Sequence, residues 1–402
     1  MTTVHRLEGT TAPGARWVAL VPAKWNGPLL VYCHGYGADD GAPIKLVPGA
    51  IGVERLLSEG YALAASGYSS AGWAAGDGVI DTLALVEALA AQRLHPCRTV
   101  VWGQSMGGLV AAALAEIPGA VDGAVSLCGS VVGPVGMMNQ AFDAAWTASV
   151  LLDWEDVDLI GVTDDRVRST HITGLLHRAK ADAVGRARVA LACAFGQLPT
   201  WSLPSQSRPR EDDVETLLGN QAEVFGWSVL SPRNDMLRRA GGPFSWNVGV
   251  DYNSGLERSG FSALVGEMYS RAGLNLEADL QRLAEAPRVA AVPEAAARLA
   301  AVVTPTGRLA APHLTVHQTG DAAPVVTQAT AYADRVMREG YDALLRQVFI
   351  DRPGHCSESE AELLAALRLL EGRMDTGLWP DAPKEFSAFQ PGQFLRPSTE
   401  TV

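Results

Sequence analysis

Residues 98–116, with the sequence RTVVWGQSMGGLVAAALAE, decide the fold. The first five residues form a short apolar run that is typical of a buried strand, and an alanine-rich helix begins at about Met106. Between the two, residues 103–107 (GQSMG) fit the pattern G-x-S-x-G. A sharp strand-to-helix turn of this kind, a nucleophile elbow, holds the serine in a strained backbone conformation and exposes its hydroxyl group. We therefore predict that Ser105 is a catalytic nucleophile.

A chance match is the alternative interpretation of this pattern, because glycine and serine are common in loops. The strand before the turn and the helix after it argue against chance, since a nucleophile elbow requires both. The glycines also suit so tight a turn, where a side chain would clash.

The first third of the chain repeats this alternation of strand and helix. A helix is predicted over Asp77–Gln92, where apolar residues recur at helical spacing. Further continuous apolar runs occur at Pro28–His34, Tyr61–Ser66 and Gly123–Cys128. Buried strands alternating with helices indicate a mostly parallel, doubly wound α/β sheet that is covered on both faces.

The alternation stops near residue 131 and resumes near residue 312. The intervening segment, 131–311, is mainly helical in pattern and is far longer than an ordinary loop. Strand-like runs then return at His313–Gln318 and Leu344–Ile350, each followed by a helical segment. The predicted organisation is a core formed by 1–130 and 312–371, a large helical cap inserted at 131–311, and a proline-rich tail at 372–402, which we expect to wrap over the surface or to be partly disordered.

A serine hydroxyl needs a general base to become a good nucleophile. His355 fits that role, because it lies in a loop (DRPGHC, 351–356) directly after the last predicted strand. His313 and His317 lie in or beside a strand and are assigned to its packing. His171 and His177 fall in the insertion and have no comparable loop context.

The acid that orients the base is expected after the strand before that one. Asp321 occupies this position in the segment TGD, where it would accept the second N–H of His355 and fix its tautomer. A helix N-cap is the alternative role for Asp321. Asp351 is the competing acid, but it is very close to His355 in sequence.

An oxyanion hole requires two preorganised N–H donors. The amide of Met106, directly after the nucleophile, is the first candidate. The second is the amide of Tyr36 in the segment HGYG (34–37), which follows an early strand; alternatively, its phenol reaches the oxyanion. An ordinary glycine turn is the other interpretation of this segment.

Together, HGYG, GQSMGG, TGD and PGHC resemble, in order and spacing, the motifs of the α/β-hydrolase superfamily. The resemblance covers about 1–130 and 312–371, and the first segment is similar to bacterial esterases and prolyl-oligopeptidase-like hydrolases. It implies the α/β-hydrolase fold, a Ser105–Asp321–His355 triad, and an oxyanion hole at Tyr36 and Met106. One departure is the segment DAAP (321–324), where many relatives have a valine before the proline.

The insertion predicts something about the substrate. It contains Met137 and Met138 just after a strand, and five tryptophans: Trp146, Trp154, Trp201, Trp227 and Trp246. A helical cap over the catalytic face would form a mostly apolar pocket. The alternative is that these aromatic side chains pack into the core of the cap itself.

Composition excludes several classes of function. The formal net charge of −12 disfavours nucleic acids and anionic membranes as partners. No apolar stretch is long enough to span a membrane, and the N-terminus does not resemble a secretion signal. The five cysteines form no CxxC pair, so we expect a reduced, cytoplasmic protein without a metal site or cofactor.

The predicted function is hydrolysis of a carboxylic ester, with a lactone or thioester as variants, of a mainly apolar small molecule through an acyl-serine intermediate. A peptidase acting on short peptides uses the same chemistry and is the first alternative. Acyl transfer or macrocyclisation is the second. A noncatalytic ligand-binding relative is a remote possibility, because it would not need all three triad residues.

Overall fold

A computed structural model describes residues 3–25, 27–37, 43–154, 157–229 and 233–396. The strands of these residues form one sheet in the order β1-β2-β4-β3-β5-β6-β7-β8. Their bounds are β1 Val4–Thr10, β2 Arg16–Pro22, β3 Pro28–Cys33, β4 Ala62–Ser66, β5 Arg98–Gln104, β6 Gly123–Leu127, β7 His313–Gly320 and β8 Leu345–Pro353. From β4 to β8 neighbouring strands are parallel, whereas β2 is antiparallel to both of its neighbours. The predicted mostly parallel sheet is confirmed.

Helices cover both faces of this sheet. They are α1 Val53–Ser58, α2 Ala75–Ala91, α3 Met106–Leu114, α13 Gln328–Arg338 and α14 Glu360–Thr376. The side chains of the central strand β5 alternate between two apolar clusters, with Val101 packed on one face and Val100 and Trp102 on the other. All three are buried, which explains why this strand reads as a continuous apolar run. The doubly wound arrangement is therefore confirmed.

Between β6 and β7, every element that the structure describes is an α-helix. These helices are α4 Pro134–Leu151, α5 Asp165–Ala179, α6 Ala183–Phe195, α7 Val214–Ser228, α8 Arg233–Ala240, α9 Tyr252–Arg258, α10 Ser262–Ala272, α11 Leu276–Glu285 and α12 Pro293–Val302. Helix α4 is buried along nearly its whole length, because it lies beneath the other helices of the segment. The assignment of 131–311 to a separate cap stays a prediction.

The segment after α14 packs against these inserted helices. Phe394 and Arg396 are buried, and the Arg396 guanidinium lies 3.2 Å from the carboxylate of Asp143 on α4. The last described residues of the tail are therefore anchored by an ion pair, instead of only lying on the surface.

Within the described ranges, no helix has both the length and the apolar character that crossing a membrane requires.

Candidate active site

Ser105 lies at the sharp turn between β5 and α3, with φ 57° and ψ −121°. The two flanking glycines are required by the space available. A Cβ atom on Gly103 would lie 2.3 Å from the carbonyl oxygen of Gly107, and one on Gly107 would lie 2.0 Å from that of Cys33. Neither distance is possible for real atoms. The turn therefore has the geometry of a nucleophile elbow, as predicted from the residue types.

His355 and Asp321 form a hydrogen-bonded pair. The Nδ1–H of His355 donates to Oδ2 of Asp321 across 2.8 Å, and the Asp321 side chain is fully buried. The amide of Ala323 donates to the other carboxylate oxygen across 2.9 Å. β7 and β8 are neighbours in the sheet, so their carboxyl ends bring these two residues together across 34 positions of sequence.

Ser105 and His355 border the same cavity, which has a volume of about 460 Å³. Among the described residues, no hydrogen bond joins the Ser105 hydroxyl to the imidazole; the Nε2 atom of His355 instead lies 3.3 Å from Sγ of Cys356. Catalytic hydrogen bonds of this kind are often loose before substrate binds. The structure thus brings together the three residues predicted as a triad and shows the acid–base half of it as a direct contact.

Of the competing residues, Asp351 and His313 lie away from this pair, whereas Nε2 of His317 lies 3.7 Å from Oδ2 of Asp321. Asp351 is exposed, binds Arg208, and accepts a hydrogen bond from Thr319 at 3.1 Å. His313 is buried in the core, and the Nε2–H of His317 donates to the carbonyl oxygen of Pro324 across 2.6 Å. None of these side chains contacts His355 through a described hydrogen bond.

The two proposed oxyanion donors lie close to the nucleophile. Met106 is the first residue of α3, and its amide takes part in no described hydrogen bond. A Cβ atom on Gly35 would lie 3.4 Å from Cβ of Ser105, so the loop that carries the Tyr36 amide is in contact with the turn. The ring of Tyr36 is 45% exposed and lies 6.5 Å from that of Trp73. Which donor reaches the oxyanion stays a prediction.

Sequence reasoning missed a buried carboxylate beside the base. Glu358 accepts a hydrogen bond from Nε2 of Gln104 at 2.8 Å, and the same amide accepts one from the hydroxyl of Tyr32 at 3.2 Å. Burial raises the pKa of Glu358, while hydrogen bonds to its carboxylate oppose this. Its position three residues after His355, in the same loop, was the available signal.

The carboxylates of Asp321 and Glu358 shift the pKa of His355. Burial lowers the pKa of His355, but the charge and hydrogen bond of Asp321 and the charge of Glu358 outweigh burial, so the net shift is upward. The imidazolium that forms during a proton transfer is therefore stabilised where it is needed.

We expect kcat/KM to rise with pH through a midpoint above about 6.5, the ordinary pKa of histidine, because the base must be neutral to accept a proton. Glu358→Gln removes a negative charge near the imidazole and should move this midpoint to lower pH. Initial rates measured across the pH range test both statements. A profile that stays flat between about pH 5 and 9 would show that His355 is not the base.

A disulfide adjoins the base. Cys128, directly after β6, is bonded to Cys356, with their Cα atoms 5.7 Å apart and a sequence separation of 228. The expectation of a fully reduced protein is therefore wrong for this pair. The sulfur atoms and the His355 ring lie within 4.8 Å of one another, but sulfurs bonded to each other are not free thiolates for a metal.

The cavity around Ser105 has a mixed lining. The inserted helices contribute Met137, Met138 and Trp227, while the strand ends and the loop after β3 contribute polar groups such as Gln104 and Tyr32. The other four tryptophans of the insertion do not border this cavity, and two of them, Trp146 and Trp154, are buried. Trp73, Ala323 and Pro324 from loops at the sheet edge add further apolar groups, and Ser228 of α7 adds a hydroxyl, so neither kind of group comes from one source alone. The mostly apolar pocket stays a prediction.

Comparisons with known proteins find similarity to hydrolases of several kinds. No protein-family model matches it. It is 28% identical to an o-phthalyl amidase from Xanthobacter agilis over 422 residues, which covers 94% of this chain and 90% of the relative.

Solved structures similar to this one have low sequence identity. Feruloyl esterase B from Aspergillus oryzae matches with a TM-score of 0.45 at 12% identity, over 94% of this chain and 83% of that one. An esterase from Pyrococcus furiosus matches with a TM-score of 0.42 at 12% identity, over 94% and 92%. A puromycin hydrolase matches with a TM-score of 0.41 at 14% identity, over 96% and 41%.

Proposed function

We propose that this chain, which has the fold of the α/β-hydrolase superfamily, is a serine hydrolase that cleaves a carboxylic ester through an acyl-serine intermediate. The observation that carries this proposal is the buried Asp321–His355 pair, whose imidazole borders the same cavity as Ser105. Ligand binding alone would not require a serine in a strained backbone conformation in the same cavity as an oriented imidazole.

The proposed reaction proceeds in two halves. Nε2 of His355 accepts the hydroxyl proton of Ser105 while Oγ bonds to the substrate carbonyl carbon, and the carbonyl oxygen becomes an oxyanion. The amides of Met106 and Tyr36 donate to that oxyanion. The imidazolium then gives its proton to the leaving oxygen or nitrogen, whose bond to carbon breaks. Water, deprotonated by the same imidazole, then bonds to the acyl carbon. The imidazolium returns the proton to Oγ of Ser105 as the bond from Oγ to that carbon breaks, and the acid is released.

Amide hydrolysis is the second candidate function. A relative that aligns with nearly the whole chain is an amidase. An amine leaving group, unlike an alcohol, has to be fully protonated before it departs. In that reaction the imidazolium of His355 is the group that supplies the proton. Acyl transfer to a hydroxyl would use the same residues, with the acceptor in place of water.

The substrate is proposed to be a small molecule with one apolar part. A cavity of about 460 Å³ lies within the usual range for small-molecule sites. Trp227 and the paired methionines Met137 and Met138 supply apolar surface to this cavity. Because methionine side chains are flexible, this surface adapts to substrates of different shapes.

A panel of 4-nitrophenyl esters from C2 to C12, with matched 4-nitroanilides, tests substrate class and size together. Each buried methylene contributes about 0.8 kcal/mol, or roughly a factor of four in binding. We expect kcat/KM to rise from acetyl to medium-chain esters and then to level off. A maximum at C2 would contradict the apolar acyl site, while leaving the triad unaffected. Anilides cleaved as fast as esters would favour amide hydrolysis as the function.

A further inference from the structure

A second cavity adjoins the one that contains Ser105. Its volume is about 450 Å³, and four residues border both cavities: Tyr32, Gly35, Tyr36 and Lys45. The two cavities are therefore adjacent along these residues. Lys45 lies where the two meet.

The described lining of the second cavity is positively charged. It contains two basic side chains, Arg16 and Lys45, and no carboxylate. His34 also borders it, but burial lowers the pKa of its imidazole, and the charge of Lys45 lowers it further. His34 is therefore neutral near pH 7, and the charge of the lining comes from Arg16 and Lys45.

Within the described residues, neither of these two side chains forms a hydrogen bond or an ion pair. Carboxylates close to Tyr36 are already paired: Asp235 lies 2.6 Å from Arg238 and 3.1 Å from Arg239, and Asp165 accepts from the amide of Asn234 at 3.0 Å. The chain as a whole has a formal net charge of −12, whereas the described lining of this cavity has two basic side chains without a described partner.

We propose that this second cavity is an anion subsite, in which Lys45 and Arg16 bind a carboxylate of the substrate. The inference rests on the proposed function, because that carboxylate belongs to the same molecule as the carbonyl attacked by Ser105. Arginine binds a carboxylate through two parallel N–H groups, and lysine supplies a compact charge. The carboxylate belongs either to the acyl part or to the leaving group.

Two pairs of test substrates separate these sources. The 4-nitrophenyl half-ester of adipic acid carries the carboxylate in its acyl part, and its methyl ester is the neutral partner. The acetate ester of 3-hydroxybenzoic acid carries it in the leaving group, and again the methyl ester is neutral. The quantity measured is the ratio of kcat/KM for the anionic and the neutral member of each pair.

We expect the wild type to prefer the anionic member of at least one pair. Lys45→Met should lower that ratio by about tenfold, as expected for loss of one hydrogen bond to a charged group. Arg16→Gln should lower it less, and Lys45→Arg should retain most of it. Lys24→Met is the matched control, because Lys24 is exposed before β3, at the end opposite the site, and should leave the ratio unchanged.

Equal losses on both members of each pair in Lys45→Met would overturn the subsite. A wild-type ratio of one or less in both pairs would do so too. Calorimetric binding of the adipate half-ester to Ser105→Ala, with and without Lys45→Met, tests the subsite without turnover. Tight binding lost with Lys45, in an enzyme that hydrolyses nothing, would sustain the subsite and contradict only the proposed function.

Discussion

Ser105→Ala is expected to lower kcat by roughly 10⁴-fold or more while leaving the fold intact. The alanine retains the Cβ atom and removes only the hydroxyl, so the positive φ of 57° is no more strained than in the wild type. What is lost is the oxygen atom proposed to bond to the substrate carbonyl carbon. Steady-state rates on the best ester of the chain-length panel give the change, and thermal unfolding shows whether the fold is retained.

Ser130→Ala is the matched control for this variant. Ser130 is buried and borders the same cavity, but it does not lie on the elbow. Its substitution should cost less than about tenfold, since it removes a contact and not the nucleophile. A folded Ser105→Ala enzyme with wild-type rate would contradict the assignment of Ser105.

Asp321→Asn is expected to lower kcat by about 10³- to 10⁴-fold. An amide in this position can donate to Nδ1 of His355, which then leaves the proton on Nε2, the atom that has to accept the proton of Ser105. The substitution keeps size and shape, so the loss reports the charge and the tautomer. It is measured with the same ester as the serine variant.

Asp351→Asn supplies the comparison for this second result. Asp351 is exposed and paired with Arg208, so its loss removes a surface ion pair that contributes little. We expect near wild-type activity. If this variant were the inactive one and Asp321→Asn were active, the acid would have been assigned to the wrong strand end.

Much of this arrangement is predictable from residue types because it depends on local pattern. The elbow needs glycines on both sides of Ser105, and the buried strand before it is a continuous apolar run. The positions of Asp321 and His355 follow from chain order, because each comes directly after one of the last two strands. The carboxyl ends of adjacent parallel strands necessarily meet at one edge of the sheet.

The features that were not predicted depend on contacts between distant parts of the chain. Cys128 and Cys356 are 228 residues apart, and nothing in their local sequence pairs them. Glu358 looks like an ordinary helix-flanking acid until packing buries it beside Gln104. The composition of the cavity lining likewise depends on how the inserted helices pack on the sheet edge.

Chemical modification tests the central claim most directly. A fluorophosphonate reacts with a serine only where a neighbouring base has activated its hydroxyl, so the intact protein should gain the mass of one adduct. Peptide mapping should place that adduct on Ser105, and Asp321→Asn should slow the labelling strongly. An unlabelled protein, or an adduct on another residue while Ser105 stays unmodified, would contradict the account.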